Sequence, residues 1–257
     1  MTHPFITRLE RTIPLSGPDR DAIERLTATT RTVPARQVIL GEDEPARGLC
    51  VVVQGFACCF SHLRDGGRQI TGFLLPGDCS SLPAVLLGAR HAGIASLAPC
   101  LVATVGREAL ADLLLRHPLA GCALWSAALT QEQILREWIV NIGARSADRR
   151  VAHLFSELLT RLRQVGRSAG DRCVLPLTQE DLADTLGLST VHVNRTLQAL
   201  RGSGLLRFNR GVLTVPDSRQ LESFAGFTPD YLEARVATEI LLACAKRDVA
   251  EADRAPR

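Results

Sequence analysis

Residues 178–200 read Thr-Gln-Glu-Asp-Leu-Ala-Asp-Thr-Leu-Gly-Leu-Ser-Thr-Val-His-Val-Asn-Arg-Thr-Leu-Gln-Ala-Leu. Thr178 is a good N-cap, because its hydroxyl can accept one of the amides left unpaired at a helix start. Asp181, three residues on, can bond back to close a capping box. Leu182, Ala183 and Leu186 then form the inner face of a first helix. Gly187 ends it, since a helix C-terminus often needs a left-handed residue. Ser189 caps a second helix, whose buried stripe is Val193, Leu197 and Leu200, at offsets of 4 and 3. Two short capped helices joined by a glycine-containing turn are a helix-turn-helix. The outward face of the second helix starts with Thr190 and Val191 and continues through Asn194, Arg195 and Gln198. A short polar face with one central arginine suits the DNA major groove, where arginine can bond both guanine acceptors at once.

Downstream, Arg201-Gly202-Ser203-Gly204 turns into Leu205 to Val215, a hairpin with Arg207 and Arg210 near its tip. This adds a wing to the two helices. The charge distribution agrees. Residues 1–142 carry 13 Arg and 13 acidic residues, residues 143–210 are net +5, and residues 211–257 are net −2. A basic segment inside a chain of only +3 overall points to a polyanion partner for that segment. The caps, the turn, the wing and the local charge weigh against a small helical core with no nucleic-acid role.

Upstream, residues 147–164 predict a helix with Val151, Leu154, Phe155, Leu158, Leu159 and Leu162 on its apolar face. From Arg107 to Gly143 there is almost no turn chemistry. Leu124, Ala128, Leu135, Trp138 and Ile142, at offsets of 4, 7, 3 and 4, predict an apolar stripe on a long helix. A second line, Ala127 and Ile134, faces elsewhere. A long helix with two apolar faces usually packs on its own domain and on a partner. The stripe from Leu124 to Ile142 is assigned to a dimer seam; burial in a single core is the alternative.

Residues 33–107 read instead as short strands. Leu49 to Val53 ends at Gln54-Gly55, and Phe56 to Leu63 meets Arg64-Asp65-Gly66-Gly67, a strong hairpin signal. Gln69 to Leu75 runs into Pro76-Gly77-Asp78. Turns every ten residues or so predict a sandwich or barrel.

Composition bounds the function. The chain has 257 residues, 46% hydrophobic and 22% charged, as in ordinary soluble proteins. No window approaches 18 uninterrupted apolar residues, so no membrane partner is expected, and the first eleven residues hold no apolar signal core. The cytoplasm is the expected compartment. The eight cysteines would stay reduced there. None precedes Cys50, none forms Cys-x-x-Cys, and the vicinal Cys58 and Cys59 would point to opposite faces of a strand. The six histidines show no ligand spacing, so no metal site is expected. A Gly-rich phosphate loop and a nucleophile elbow are both missing, so an enzyme is not expected.

Over about residues 20–215 the chain resembles transcription regulators of the Crp/Fnr superfamily. The stretch from Leu177 to Leu206 is the most specific; Leu49 to Gly55 and Leu75-Pro76-Gly77-Asp78 support it. The resemblance implies an α+β chain. A jelly-roll-like, cyclic-nucleotide-binding-type β-roll would span residues 1–116, a dimerisation helix 117–143, and a winged helix-turn-helix 144–215. Residues 216–257 would form a C-terminal extension. It implies a homodimer on double-stranded DNA, with RNA polymerase as a further partner. The alternative is a ligand-binding or protein-interaction module whose winged helix docks a protein.

Carried over by motif, Arg195 takes the place of the family's guanine-reading arginine. Thr190, Val191 and Asn194 join it as base readers. Val191 stands where many relatives have glutamate; it can touch a thymine methyl but cannot accept from cytosine. Thr178, Gln179, Ser189 and His192 match phosphate-contacting positions near helix N-termini, where free N–H groups favour anions.

The effector pocket departs from the family pattern. Relatives that bind cyclic AMP hold its ribose with a glutamate and its phosphate with an Arg-Ser pair. Here the corresponding residues are Ser80, Ser81 and Leu82, then Arg90 and His91, with no serine after Arg90. Cyclic AMP is not expected to bind. Without an N-terminal cysteine cluster, an iron–sulfur cluster is not expected either.

Overall fold

The computed structural model describes residues 3–42, 45–89 and 92–233. Two short helices open the chain, α1 (Pro4–Leu9) and α2 (Gly17–Thr27). A β-roll follows: β1 (Thr30–Val33), β2 (Val38–Leu40), β3 (Gly48–Gln54), β4 (Ala57–His62), β5 (Arg68–Leu74), α3 (Leu82–Leu87), β6 (Gly93–Ser96) and β7 (Cys100–Gly106). Its strands pair antiparallel in two sheets, ordered β1-β7-β3 and β2-β6-β4-β5. Strand β3 is buried on both faces. Cys50 and Val52 point between the sheets, while Leu49, Val51 and Val53 face a second core built with α1 and α2. The expected hairpin joins β4 to β5, with Gly66 at φ +86° and the Gly67 N–H donating to Asp65 Oδ1 at 3.0 Å. At Gly77 (φ +92°) a side chain could not fit, because a Cβ there would lie 2.5 Å from the Pro4 carbonyl.

The long helix expected over residues 117–143 is preceded by a separate short one. Helix α4 (Arg107–Arg116) ends at His117, and α5 runs from Pro118 to Ala144. Pro118 sits at the first position of α5, where its missing N–H costs nothing. At 27 residues, α5 is roughly 40 Å long.

Most of the predicted seam does not face outward. Leu124 and Trp138 are buried within the chain, Ala128 packs half-buried on the α1–α2 core, and Ile142 is half-buried. Only Leu135 of that stripe is exposed. The physical reason is that an apolar stripe serves a partner or the chain's own core equally well. The Trp138 N–H settles the choice by donating to the buried Glu157 at 2.9 Å. Ile134, on the second line, is buried as well. The large apolar residues that α5 exposes are Trp125 (47% exposed), Leu129 (50%), Leu135, Ile139 (72%) and Val140.

The C-terminal head begins with α6 (Ala147–Gln164) and the short strands β8 (Ser168–Ala169) and β9 (Arg172–Val174). It continues with α7 (Gln179–Leu186), α8 (Thr190–Gly202), β10 (Arg207–Asn209), β11 (Val212–Thr214) and α9 (Ser218–Ala225). The first part of the expected extension folds back here: Leu221, Ala225, Phe227 and Leu232 are buried in the core containing the apolar face of α6. Residues 234–257 lie outside the described residues. One hydrophobic cluster runs from Phe56, Phe60, Ile70 and Phe73 of the roll, past Trp138, into the core of the head. The rings of Phe73 and Trp138 meet edge-on at 5.7 Å.

Candidate nucleic-acid interface and effector cavity

The helix-turn-helix is built by its caps. The Thr178 hydroxyl accepts from the Asp181 N–H at 3.1 Å, and Asp181 Oδ2 accepts from the Thr178 N–H at 2.8 Å, closing the predicted box. Gly187 ends α7 at φ +62°. The Ser189 hydroxyl accepts from the His192 N–H at 3.2 Å and starts α8. Val193 and Leu200 are buried, while Thr190, Val191, Asn194 and Arg195 stand exposed on one surface. Asn194 Nδ2 donates to Gln179 Oε1 at 3.2 Å, which joins the N-terminus of α7 to the outer face of α8.

The hairpin β10–β11 turns through Arg210 (φ +48°) and Gly211 (φ +73°), and β11 continues the sheet β10-β11-β9-β8. Arg201, Arg207 and Arg210 are exposed, as is Arg195. Of the other expected contact positions, Thr178, Gln179 and Ser189 are exposed and His192 is half-buried. A helix of this length with a polar outer face fits a major groove about 12 Å wide.

A cavity of about 440 Å³ opens between the roll and α5. Of the residues expected at an effector pocket, Ser80, Ser81 and Leu82 line it; Arg90 and His91 lie outside the described residues. Ser81 is tied up capping α3, where it accepts from the Ala84 N–H. The Ser80 hydroxyl accepts from the Cys50 N–H at 3.0 Å. The wall holds Phe5, Cys59, Leu82, Trp125, Leu129 and Leu135, and among the described residues its charged groups are Arg8, Asp78 and Glu132. Burial pushes the thiols of Cys59 and Cys79 up to about 12, so both are protonated at neutral pH. Cys58 is buried in the roll–head core while Cys59 faces the cavity, as strand alternation requires.

Arg8 and Asp78 escaped the sequence reading. Arg8 Nε lies 3.4 Å from Asp78 Oδ1. Asp78 Oδ2 accepts from Arg161 Nη2 at 2.7 Å, and the same Nη2 donates to the Phe73 carbonyl at 2.8 Å. Arg161 Nη1 donates to Glu157 Oε1 at 3.2 Å, and the Tyr231 hydroxyl donates to Glu157 Oε2 at 2.9 Å. A buried polar chain thus links the cavity wall to α6 and α5. Only the Pro-Gly-Asp turn signalled Asp78, and nothing in the local sequence marked its partners.

His153 lies beside this chain, buried between Phe227 and Tyr231, with neither ring nitrogen hydrogen-bonded. Its Nε2 is 3.2 Å from Glu137 Oε1, an ion pair only if the ring is protonated. Burial, helped by the positive charge of Arg145, drives its pKa down to about 3. The folded ring therefore refuses a proton that the unfolded chain accepts below about 6.5. The His153 contribution is complete above pH 6.5 and is lost as pH falls from there toward 3, at up to about 1.4 kcal/mol per pH unit. Wild-type unfolding free energy is expected to fall relative to His153→Phe across that window. Parallel profiles for the two proteins in chemical denaturation would contradict this.

Two family models match the chain, a cyclic nucleotide-binding domain over residues 30–117 and a Crp-like helix-turn-helix domain over residues 149–224. The nitrogen fixation regulation protein FixK of Azorhizobium caulinodans is 30% identical over 184 residues, covering 71% of this chain and 70% of that protein. The transcriptional activator protein FnrL of Cereibacter sphaeroides is 27% identical over 197 residues, covering 75% of this chain and 79% of its own. Among solved structures, FixK2 from Bradyrhizobium japonicum superposes with a TM-score of 0.67 at 26% identity, covering 81% of this chain and 98% of that one. Among the described residues no helix is long and apolar enough to cross a membrane. With both domains in this order and a relative of this identity and coverage, the chain belongs to the Crp/Fnr family of DNA-binding transcription regulators.

Proposed function

We propose that the protein acts as a homodimer that reads a two-fold-related operator through α8 and answers to a signal received in the β-roll. The observation that carries this is the exposed surface of α8, with Thr190, Val191, Asn194 and Arg195 on it, flanked by the basic wing. Arg195 reads guanine and Val191 contacts a thymine methyl. Thr178, Gln179, Ser189 and His192 take the flanking phosphates, and RNA polymerase is the further partner. Dimerisation through Trp125, Leu129, Leu135, Ile139 and Val140 covers the apolar residues that α5 leaves exposed. It sets two reading heads roughly 34 Å apart on one face of the duplex. A signal in the roll shifts the population between two poses of the heads. Selection of bound fragments from genomic DNA tests this reading. An inverted repeat with half-sites one helical turn apart is expected. Fragments with no shared symmetric sequence would refute it, as would retention of a protein partner but no DNA.

The cavity between roll and α5 is the place for an effector, and its chemistry disfavours cyclic AMP. Ser81 and Leu82 supply no carboxylate at the position where relatives hold the ribose, and among the described lining residues the one arginine, Arg8, is already paired with Asp78. A buried phosphate without a free cation is costly. Millimolar cyclic AMP is expected to leave both the melting temperature and DNA affinity unchanged. A ligand at a hundredfold its Kd would add about 2.7 kcal/mol, so a clear upward shift in melting temperature would overturn the expectation.

A further inference from the structure

We propose that Arg36 and Arg68, two residues of the β-roll, are positioning residues for DNA reading: they clamp α7 and so fix the angle at which α8 meets the groove. This rests on the DNA-reading role of α8. Arg36 Nη1 donates to both carboxylate oxygens of Asp181, at 2.9 and 2.8 Å, and its Nη2 donates to the Pro176 carbonyl at 3.2 Å. Arg68 bridges two carboxylates one turn apart on α7, donating through Nη2 to Asp181 Oδ1 at 3.0 Å and through Nε to Asp184 Oδ2 at 2.7 Å. Gln69 Nε2, next to it, donates to the Thr185 carbonyl at 3.3 Å.

Three features make this a clamp. The Asp181 side chain is 1% exposed, so it needs its partners; those of Arg36 and Arg68 are 43% and 28% exposed. Asp181 is also the capping-box residue of the helix-turn-helix, so the roll grips the residue that defines the start of the motif. Arg36 holds a left-handed backbone, φ +62°, which a non-glycine residue keeps only when its surroundings impose it. Its N–H is fixed on the Ser96 carbonyl at 2.8 Å.

The apolar core shared by roll and head holds the two together but is non-directional. Hydrogen bonds from guanidinium groups to carboxylates are strongly directional. The core therefore supplies adhesion and the two arginines supply angle. Because α7 leads into α8 through only Gly187, Leu188 and Ser189, rotation of α7 becomes rotation of the reading surface. That surface stays exposed while the clamp is closed, so the clamp does not bar DNA from it.

The test uses the full-length protein on the duplex selected from genomic DNA and on a random duplex. Arg36→Asn keeps a residue that tolerates a left-handed backbone, and Arg68→Gln keeps a polar side chain without the charge or the Nη donors. Together they are expected to weaken operator binding about tenfold and random-duplex binding less than twofold. Arg68→Gln and Asp184→Asn combined should cost no more than the larger single effect, since they break the same contact. Asp184 is on the rim, so Asp184→Asn alone, expected to weaken operator binding with an unchanged melting curve, covers a double variant that fails to fold. An unchanged specificity ratio would overturn the proposal. So would equal loss on both duplexes, which would make these arginines phosphate contacts, or tighter operator binding, which would make the clamp a restraint. A wild type that does not prefer the selected duplex would defeat the base-reading role and the clamp with it.

Discussion

Arg161→Met is expected to cost about 3–5 kcal/mol of folding stability, the usual consequence of removing one member of a buried ion pair. Arg161 is buried, and its guanidinium spans the Phe73 carbonyl, Asp78 and Glu157. Burial alone would lower its pKa, but Asp78 and Glu157 more than offset this and keep it charged. Without it, Glu157 retains only the Trp138 and Tyr231 donors and no cation, and Asp78 retains Arg8 at 3.4 Å and the Leu75 N–H. Glu157 would then be a buried carboxylate with no cation beside it, and Asp78 would have lost the shorter of its two ion pairs. Met fills most of the volume, so the loss reports charge more than cavity. Equilibrium denaturation in urea measures it, and a loss below about 1 kcal/mol would mean that water or another cation compensates.

Ile139→Asp is expected to produce a monomer that folds normally and binds the operator about a hundredfold more weakly or worse. Ile139 is 72% exposed on the isolated chain, and exposed substitutions away from special features usually stay within about 0.5 kcal/mol. In a dimer the same carboxylate is buried without a partner, which is costly. A separated head forgoes the avidity of two linked sites, worth a factor of roughly 10² to 10⁴. Sedimentation and operator titration read both effects. A dimeric Ile139→Asp protein with wild-type affinity would move the seam elsewhere. Leu124 and Trp138 are poor probes of assembly, because substituting either damages the chain's own core.

What could be read from the sequence was local. Thr178, Asp181, Gly187 and Ser189 act within three or four residues of themselves, so the caps and turn of the helix-turn-helix followed from chain order. Helix α6 runs over the predicted residues, and the Gly66 hairpin is where turn chemistry placed it. What could not be read depended on distant partners. The stripe on α5 was visible, but the face it turned inward was decided by Glu157 and Phe73, which belong to other elements. The Asp181 box was foreseen as a cap, whereas its grip by Arg36 joins residues 145 positions apart. Arg8 reaches the cavity from a helix whose sequence carries no binding motif. Periodicity reports that a face is apolar or polar; it does not report what covers it.

Base reading by α8 is measured by titrating wild type and Arg195→Ala against the selected duplex and a random one over a range of salt. Wild type should prefer the selected duplex, with affinity falling steeply as salt rises. Arg195→Ala should lose about 1–3 kcal/mol on the selected duplex and little on the random one. Equal losses on both duplexes would contradict the account, since Arg195 would then contact phosphate and the sequence would be read elsewhere.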